Sequence, residues 1–232
     1  MKCKLFFMSL MVCAFIIIII IFQNTRSEQA SIVSQIALED MNQEKGSNIE
    51  INEIMLPLEN SKVRTSSITH VMIHYMSNAM EKPHDPYRLE DVYTIFLQNG
   101  VSTHYIIDRK GNIYRLVPED RVAYHAGKGS FDHFPSYDNE MNDYSIGIEL
   151  LAIGTKEEMI PLIPEDTYDS IQSMFIGYTE HQYQSLRTLL HDIYERNPMV
   201  MRNRQHIIGH DEYAPERKKD PGALFDWGKI GF

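Results

Sequence analysis

The sequence predicts an α/β domain with a central mixed β-sheet flanked by helices, preceded by an N-terminal transmembrane or signal helix. From Ile68 onward, short apolar segments alternate with longer stretches of helical periodicity, which is the pattern of a sheet covered by helices. The turn sequence at residues 109–112 separates two apolar segments and indicates a hairpin. Upstream of Ile68 the chain is first strongly apolar and then polar, which marks these parts as appendages to the domain.

The strands are predicted from short apolar runs bounded by turn residues. They are Ile68–Tyr75, Thr103–Asp108, Ile113–Val117, Ser145–Leu151 and His206–Gly209. Helices are predicted at Leu89–Leu97 and at Glu180–Arg196, the second with Thr179 as its N-cap and Pro198 just past its end. Residues 154–177 show no clear period, and we interpret them as a long surface excursion.

Composition and charge narrow the classes of function. The chain has 232 residues, 43% of them apolar and 23% charged, which is typical of one folded domain with appendages. Its net charge of -10 argues against a nucleic-acid partner, because phosphate binding needs a concentrated positive surface. Both cysteines, Cys3 and Cys13, precede the domain, which excludes a disulfide scaffold, a cysteine-ligated metal and a cysteine nucleophile within it.

The N-terminal segment predicts export. Leu5–Phe22 is an apolar run of eighteen residues, near the minimum for a helix that crosses a bilayer. Lys2 and Lys4 precede it, so the positive-inside rule places the rest of the chain outside the membrane. Small residues for signal peptidase do not follow the run, which favours an uncleaved anchor over a cleaved signal peptide and secretion.

The chain is accordingly divided into three parts. Residues 1–26 are the signal anchor or signal peptide, residues 27–60 are a polar tether, and residues 61–232 are the folded domain. We expect the domain to face outward, and we expect membrane contact through the N-terminal segment alone. The sequence gives no indication of an oligomeric state.

Two histidines follow or end apolar strands. His74 closes Val71-Met72-Ile73, and His210 follows Ile207-Ile208-Gly209. Open α/β sheets place their ligand sites at the carboxyl ends of strands, so these two imidazoles are candidates to hold a metal together. The pair alone is a weak signal.

A third ligand is suggested by the loop after His210. This loop is dense in charge and reaches Asp220, where the following Pro221 and Gly222 force a turn. It can fold the Asp220 carboxylate back toward His210, giving a His-His-Asp set that suits Zn²⁺ with a fourth position for water. A solvated charged loop without a metal explains the same composition.

Glu149 strengthens the case for a site. Strand alternation places it on the face opposite Ile146 and Ile148, together with Gly147. A carboxylate in the middle of a strand is costly unless it meets a cation, a hydrogen-bond partner or water. Beside a metal and its water, Glu149 would be a general base. The alternative is an edge-strand glutamate that faces solvent.

Five motifs occur in order along the chain and cover about residues 68–227. They are His74 in Ile-His-Tyr, Thr103-His104-Tyr105-Ile106-Ile107-Asp108 with its Gly111 turn, Tyr124-His125-Ala126-Gly127, Ser145-Ile146-Gly147-Ile148-Glu149-Leu150, and Gly209-His210 through Asp220-Pro221-Gly222. Together they resemble the zinc-dependent N-acetylmuramoyl-L-alanine amidases of the type-2 amidase family, which share a fold with peptidoglycan-recognition proteins. Residues 61–232 would then be the catalytic domain.

The resemblance implies a role for each site residue. His74, His210 and Asp220 would be the zinc ligands, Glu149 the general base, and Lys218 the group that stabilises the oxyanion. Four further residues would line the substrate groove: Tyr124, His125, Gly127 and His104. Relatives of the phage type carry a tyrosine at the place held here by Thr103, so that residue's role does not transfer.

The implied reaction is hydrolysis of the amide between N-acetylmuramic acid and L-alanine in peptidoglycan, in remodelling or lysis of the cell wall. The rival is a recognition module of the same fold that binds muropeptide without cutting it. Such modules lack a complete ligand set, whereas Asp220, Glu149 and Lys218 are all present here. A zinc hydrolase for another amide is a more distant alternative. The preferred stem peptide is not evident from the sequence.

Overall fold

The computed structural model describes residues 49–131 and 137–232. The predicted N-terminal transmembrane or signal helix and residues 27–48 of the predicted tether lie outside the described residues. Within the described ranges, no helix is both long and apolar enough to cross a bilayer. Residues Ile49–Phe232 form one compact unit.

The described residues form a six-stranded mixed sheet and a two-stranded antiparallel ribbon. In chain order the strands are β1 Ile51–Glu53, β2 Ser61–Val63, β3 His70–Met76, β4 Tyr105–Ile107, β5 Ile113–Arg115, β6 Arg121–Ala123, β7 Ser145–Leu151 and β8 Ile207–Gly209. The sheet order is β1-β5-β4-β7-β3-β8, and β2 pairs with β6 in the ribbon. Strands β4, β7, β3 and β8 are mutually parallel, so their carboxyl ends share one edge.

Helices cover the sheet as predicted. They are α1 Leu89–Asn99, α2 Met141–Tyr144, α3 Lys156–Met159, α4 Glu165–Asp169, α5 Glu180–Arg196 and α6 His210–Tyr213. Helix α5 begins at a capping box in which Thr179 and Gln182 each satisfy the other's backbone N–H. Its apolar stripe packs on the face of β7 and β3 that carries Ile73, Ile146 and Ile148. Helix α1 packs on the opposite face of the sheet, which also carries the candidate site.

The domain begins earlier than the sequence suggests. The predicted tether runs to residue 60, but β1 joins the sheet beside β5, and Asn60 is buried where its side-chain amide donates to the carbonyl oxygens of Phe96 and Val101. A strand of three residues has too little pattern to be found without its partner, which lies about sixty residues further along the chain.

The interpretation of residues 154–177 as a surface excursion is also corrected. The segment contains α3 and α4, and Met159, Ile163, Tyr168 and Ile171 are buried in a small core of its own. Helices of four or five residues are too short to show a period. The segment is therefore a packed subregion beside the main sheet.

Two buried histidines, His104 and His70, are held in their neutral form by the folded domain. His104 lies in the segment before β4, where its Nδ1 accepts from the Gly147 N–H at 3.0 Å and its Nε2 donates to the Arg121 carbonyl at 3.2 Å. Burial, together with the Arg64 guanidinium, lowers the pKa of His104 to about 3. Burial, together with His206, lowers the pKa of His70 to about 4.

These shifts predict acid lability. An unfolded histidine takes up a proton near pH 6.5, whereas His70 and His104 resist it in the folded domain. Their contribution is fully present above about pH 6.5 and is lost as the pH falls toward 4. We expect the urea midpoint to drop over this range. Compared with the unaltered protein, the drop should be shallower in His104→Gln. It should be the same in His181→Gln, since His181 lies at an exposed helix position. Equal slopes in all three proteins would contradict this account.

Candidate metal centre and active site

The sheet brings three predicted site residues to neighbouring positions. His74 lies in β3 and pairs in register with Glu149 of β7. On the other side of β3, strand β8 ends at Gly209 and delivers His210 as the first residue of α6. Because β7, β3 and β8 run parallel, these side chains meet at one edge of the sheet, as predicted from the strand ends.

Asp220 completes the cluster. Its Oδ2 lies 2.7 Å from His74 Nδ1 and 3.0 Å from His210 Nδ1. All three side chains are buried, and their candidate ligand atoms lie within 4.8 Å of one another. Burial would raise the pKa of Asp220, but the adjacent imidazoles of His210 and His74 outweigh it and hold that pKa well below its usual range. Burial lowers the pKa of His74 to about 4, so its imidazole is neutral at physiological pH.

The Nε2 atoms of His74 and His210, here called the outer nitrogens because they point away from Asp220, have other partners. His210 Nε2 lies 2.8 Å from the Ala126 carbonyl oxygen, which can only accept, so Nε2 carries the proton. The Nδ1 of a neutral His210 therefore presents a lone pair to Asp220. His74 Nε2 lies 3.0 Å from His125 Nδ1. This packing of the outer nitrogens is typical of histidines that bind a metal.

The donor set fits a divalent cation. Two imidazole nitrogens and one carboxylate oxygen converge in a buried site, and lone pairs that face one another at these distances repel. A cation between them removes that repulsion, and two nitrogens with one oxygen match the ligands of catalytic zinc. His74, His210 and Asp220 are thus the residues that would hold the ion.

Glu149 is a buried acid beside this cluster. Its exposed fraction is 8%, and its Oε2 has no hydrogen-bond partner among the described residues. Burial, and then the charge of Asp220, raise its pKa to about 8, while Lys218 acts in the opposite direction. A divalent cation nearby would lower that pKa and favour the carboxylate. The alternative of an edge-strand glutamate facing solvent is wrong, because β7 lies between β4 and β3.

Lys218 lies at the rim of the cluster, half-buried, on the turn that leads to Asp220. Its backbone N–H donates to the Ala214 carbonyl at 2.9 Å, which ties this turn to the end of α6. The positive charge of Lys218 lowers the pKa values of both Glu149 and His74.

The loop that carries Asp220 is held by the 154–177 segment and by Tyr178, which directly follows it. Glu158 of α3 accepts from the Ala223 N–H with Oε1 and from the Thr155 N–H with Oε2, both at 2.7 Å. The Tyr178 hydroxyl donates to the Pro221 carbonyl, also at 2.7 Å. Sequence reasoning missed these residues, and the one available signal was the Thr155-x-x-Glu158 capping box.

The predicted groove residues do not all reach the site. His125 touches His74, and Tyr124 and Gly127 flank it, half-buried and exposed respectively. His104 is corrected: it is fully buried and bonds to the backbone, so it supports the sheet and does not line a groove.

Thr103, where relatives of the phage type carry a tyrosine, is also fully buried. Its hydroxyl donates to the Gly147 carbonyl at 2.8 Å. Thr103 therefore holds the backbone of strand β7 at Gly147, two residues before Glu149.

The chain matches a known protein family. A family model described as N-acetylmuramoyl-L-alanine amidase matches residues 64–223, and it includes all the site residues described above. The 1,6-anhydro-N-acetylmuramyl-L-alanine amidase AmpD of Citrobacter freundii is 36% identical over 130 residues, 56% of this chain and 55% of the relative. The chain thus spans about half the length of this relative.

Solved structures show the same fold. A selenomethionine derivative of AmpD superposes with a TM-score of 0.55 and 26% identity, over 80% of this chain and 94% of that one. The AmiD amidase of Escherichia coli, in complex with anhydro-N-acetylmuramic acid-L-Ala-D-gamma-Glu-L-Lys, gives a TM-score of 0.50 and 28% identity. That superposition covers 73% of this chain and 59% of AmiD.

The role of the Glu158 carboxylate in holding the Asp220 loop can be tested by Glu158→Gln. The amide turns an N–H toward a backbone donor, so we expect the free energy of unfolding to fall by about 1.5–3 kcal/mol. Zinc affinity should fall as well, because Asp220 is less firmly placed. Urea denaturation and competition with a chromophoric chelator measure the two effects. Glu157→Gln, at an exposed position of the same helix, is the matched control. Equal zinc affinity in the two variants would contradict a role of Glu158 in positioning Asp220.

Proposed function

The chain belongs to the N-acetylmuramoyl-L-alanine amidase family, and on that basis we propose that it hydrolyses the amide between N-acetylmuramic acid and L-alanine in peptidoglycan or its fragments. The observation that carries the proposal is the buried His74, His210 and Asp220 cluster with Glu149 beside it. Relatives that act on anhydro-muropeptides, and the muropeptide bound to AmiD, support this substrate class.

The reaction needs a nucleophile, a stabilised oxyanion and a protonated leaving group. Zinc, when bound, supplies a Lewis acid that polarises the carbonyl and lowers the pKa of the attacking water. Glu149 takes the proton of that water and passes it to the departing amine of L-alanine. Lys218 provides positive charge where the oxyanion develops, which contributes on the order of 3 kcal/mol in comparable sites.

The rival function is a recognition module that binds muropeptide without cutting it. The complete ligand set and the buried acid favour hydrolysis, because pure recognition requires neither. An unpaired carboxylate oxygen in the interior is costly to keep, so its presence beside a metal-binding cluster supports a chemical role. A recognition-only protein would bind muropeptide equally well after chelation and release no product.

For the setting of this reaction, we propose export through the N-terminal segment, with membrane attachment if that segment is not cleaved. The support is Lys2 and Lys4 before the apolar run Leu5–Phe22. An outward-facing domain would meet the cell wall directly.

Activity is tested by incubating the full chain with peptidoglycan, with and without a chelator. We expect new L-alanine N-termini in the untreated sample and their loss with the chelator, restored by added Zn²⁺. Binding without release of L-alanine would favour the recognition module. Release that persists in the presence of the chelator would contradict a metal-dependent reaction.

The division of roles is tested by two variants. Glu149→Gln keeps the ligands but removes the base, so we expect stoichiometric zinc with a rate lowered on the order of 10²–10⁴-fold. His210→Ala removes a ligand and should lose the metal itself. Metal analysis beside an activity assay separates the two. Near-normal turnover in Glu149→Gln, or full zinc content in His210→Ala, would refute the corresponding assignment.

A further inference from the structure

Behind His74, a line of hydrogen bonds leads away from the candidate metal centre. His74 Nε2 is 3.0 Å from His125 Nδ1, and His125 Nε2 is 3.2 Å from Ser145 Oγ. Ser145 Oγ is in turn 2.6 Å from the Met141 carbonyl oxygen, at the start of α2. The line therefore runs from a candidate metal ligand to a fixed backbone acceptor, through two side chains that the proposed reaction does not use.

The direction of these bonds follows from the acceptor at the far end. A carbonyl oxygen only accepts, so the single Ser145 hydroxyl proton is directed to Met141. Ser145 Oγ must then accept from His125 Nε2–H. A neutral imidazole carries one ring proton, which leaves His125 Nδ1 as an acceptor and makes His74 Nε2 the donor. The nitrogen of His74 that remains for a metal is Nδ1, the one that faces Asp220.

Both the backbone and the ring of His125 are fixed in place. The side-chain oxygen of Asn142 accepts from the N–H groups of His125 and Ala126, at 3.0 and 2.8 Å. The ring packs on Gly147 of β7, where an added Cβ would lie 2.6 Å from the His125 Cγ. Met141, Asn142 and Ser145 are close in sequence, so α2 and the first residue of β7 together hold the ring.

We propose that His125 and Ser145 are positioning residues that set the tautomer of His74, so that His74 presents Nδ1 to the metal. This inference rests on the metal site of the proposed function but not on its substrate. His125, which the sequence places in the substrate groove, acts here through His74. Outer partners of this kind change metal affinity by about 10–100-fold when they are removed.

The tautomers are tested directly in the unaltered full chain. Two-bond ¹H–¹⁵N correlation spectra of the zinc-loaded protein report which ring nitrogen of each histidine carries a proton. We expect His125 to be protonated at Nε2 alone and His74 to carry its proton at Nε2 with Nδ1 bound to metal. A proton on His125 Nδ1, or metal on His74 Nε2, would overturn the proposal. This measurement decides the question even if a variant fails to fold.

Variants provide the second test, with the zinc dissociation constant as the readout. We expect His125→Ala and Ser145→Ala to weaken zinc binding by about 10–100-fold, and Ser145→Thr, which keeps the hydroxyl, to recover most of the loss. Ser185→Ala is the matched control, because its hydroxyl likewise donates to a backbone carbonyl, that of Gly111, at 2.6 Å. Equal zinc affinity in Ser145→Ala and Ser185→Ala would overturn the proposal.

Activity assays keep this proposal separate from the proposed function. A protein that shows the predicted tautomers and zinc affinities but releases no L-alanine would support the positioning role and contradict the hydrolytic function. An active protein in which His125 carries its proton on Nδ1 would support the hydrolytic function and contradict the positioning role.

Discussion

Three atoms that carry lone pairs meet in the interior of this domain, and a cation between them would make their meeting favourable. His74 Nδ1 and His210 Nδ1 both approach one oxygen of Asp220, with the side chains withdrawn from water. Burying such a set without a cation costs several kcal/mol per uncompensated group. The surrounding structure holds the set together in spite of this cost, and this constraint accounts for much of the architecture around it.

Each ligand is held by a separate part of the fold. The parallel strands fix the backbone of His74 and deliver His210, while Glu158 of the 154–177 segment and Tyr178, just after that segment, hold the Asp220 loop. The Ala126 carbonyl and His125 take up the outer nitrogens of the two histidines. Residues spread over most of the domain thus fix the positions of three side chains, as tight metal binding requires. Glu149 is placed by strand pairing alone, directly beside His74.

The parts of the fold that could be predicted are those with a strong local pattern. Helix Glu180–Arg196 and strand Ser145–Leu151 have the predicted bounds, because a capping box and a run of alternating apolar residues specify them. The convergence of His74 and His210 followed from their positions at strand ends. Strand β1 was missed because its stability comes from a distant partner. The prediction that His104 lines the substrate groove was wrong, because the sequence does not reveal that Arg64 and the Gly147 backbone surround the ring. Ser145 could not be recognised as a partner of His125, since the two meet only in the folded chain.

The most direct test is anomalous diffraction at the zinc absorption edge, from crystals of the full chain grown with Zn²⁺. The account predicts one peak about 2.0–2.2 Å from the Nδ1 atoms of His74 and His210 and from one oxygen of Asp220, with the Glu149 carboxylate nearby. A zinc-loaded crystal in which these three side chains point to separate places, with no peak between them, would contradict it.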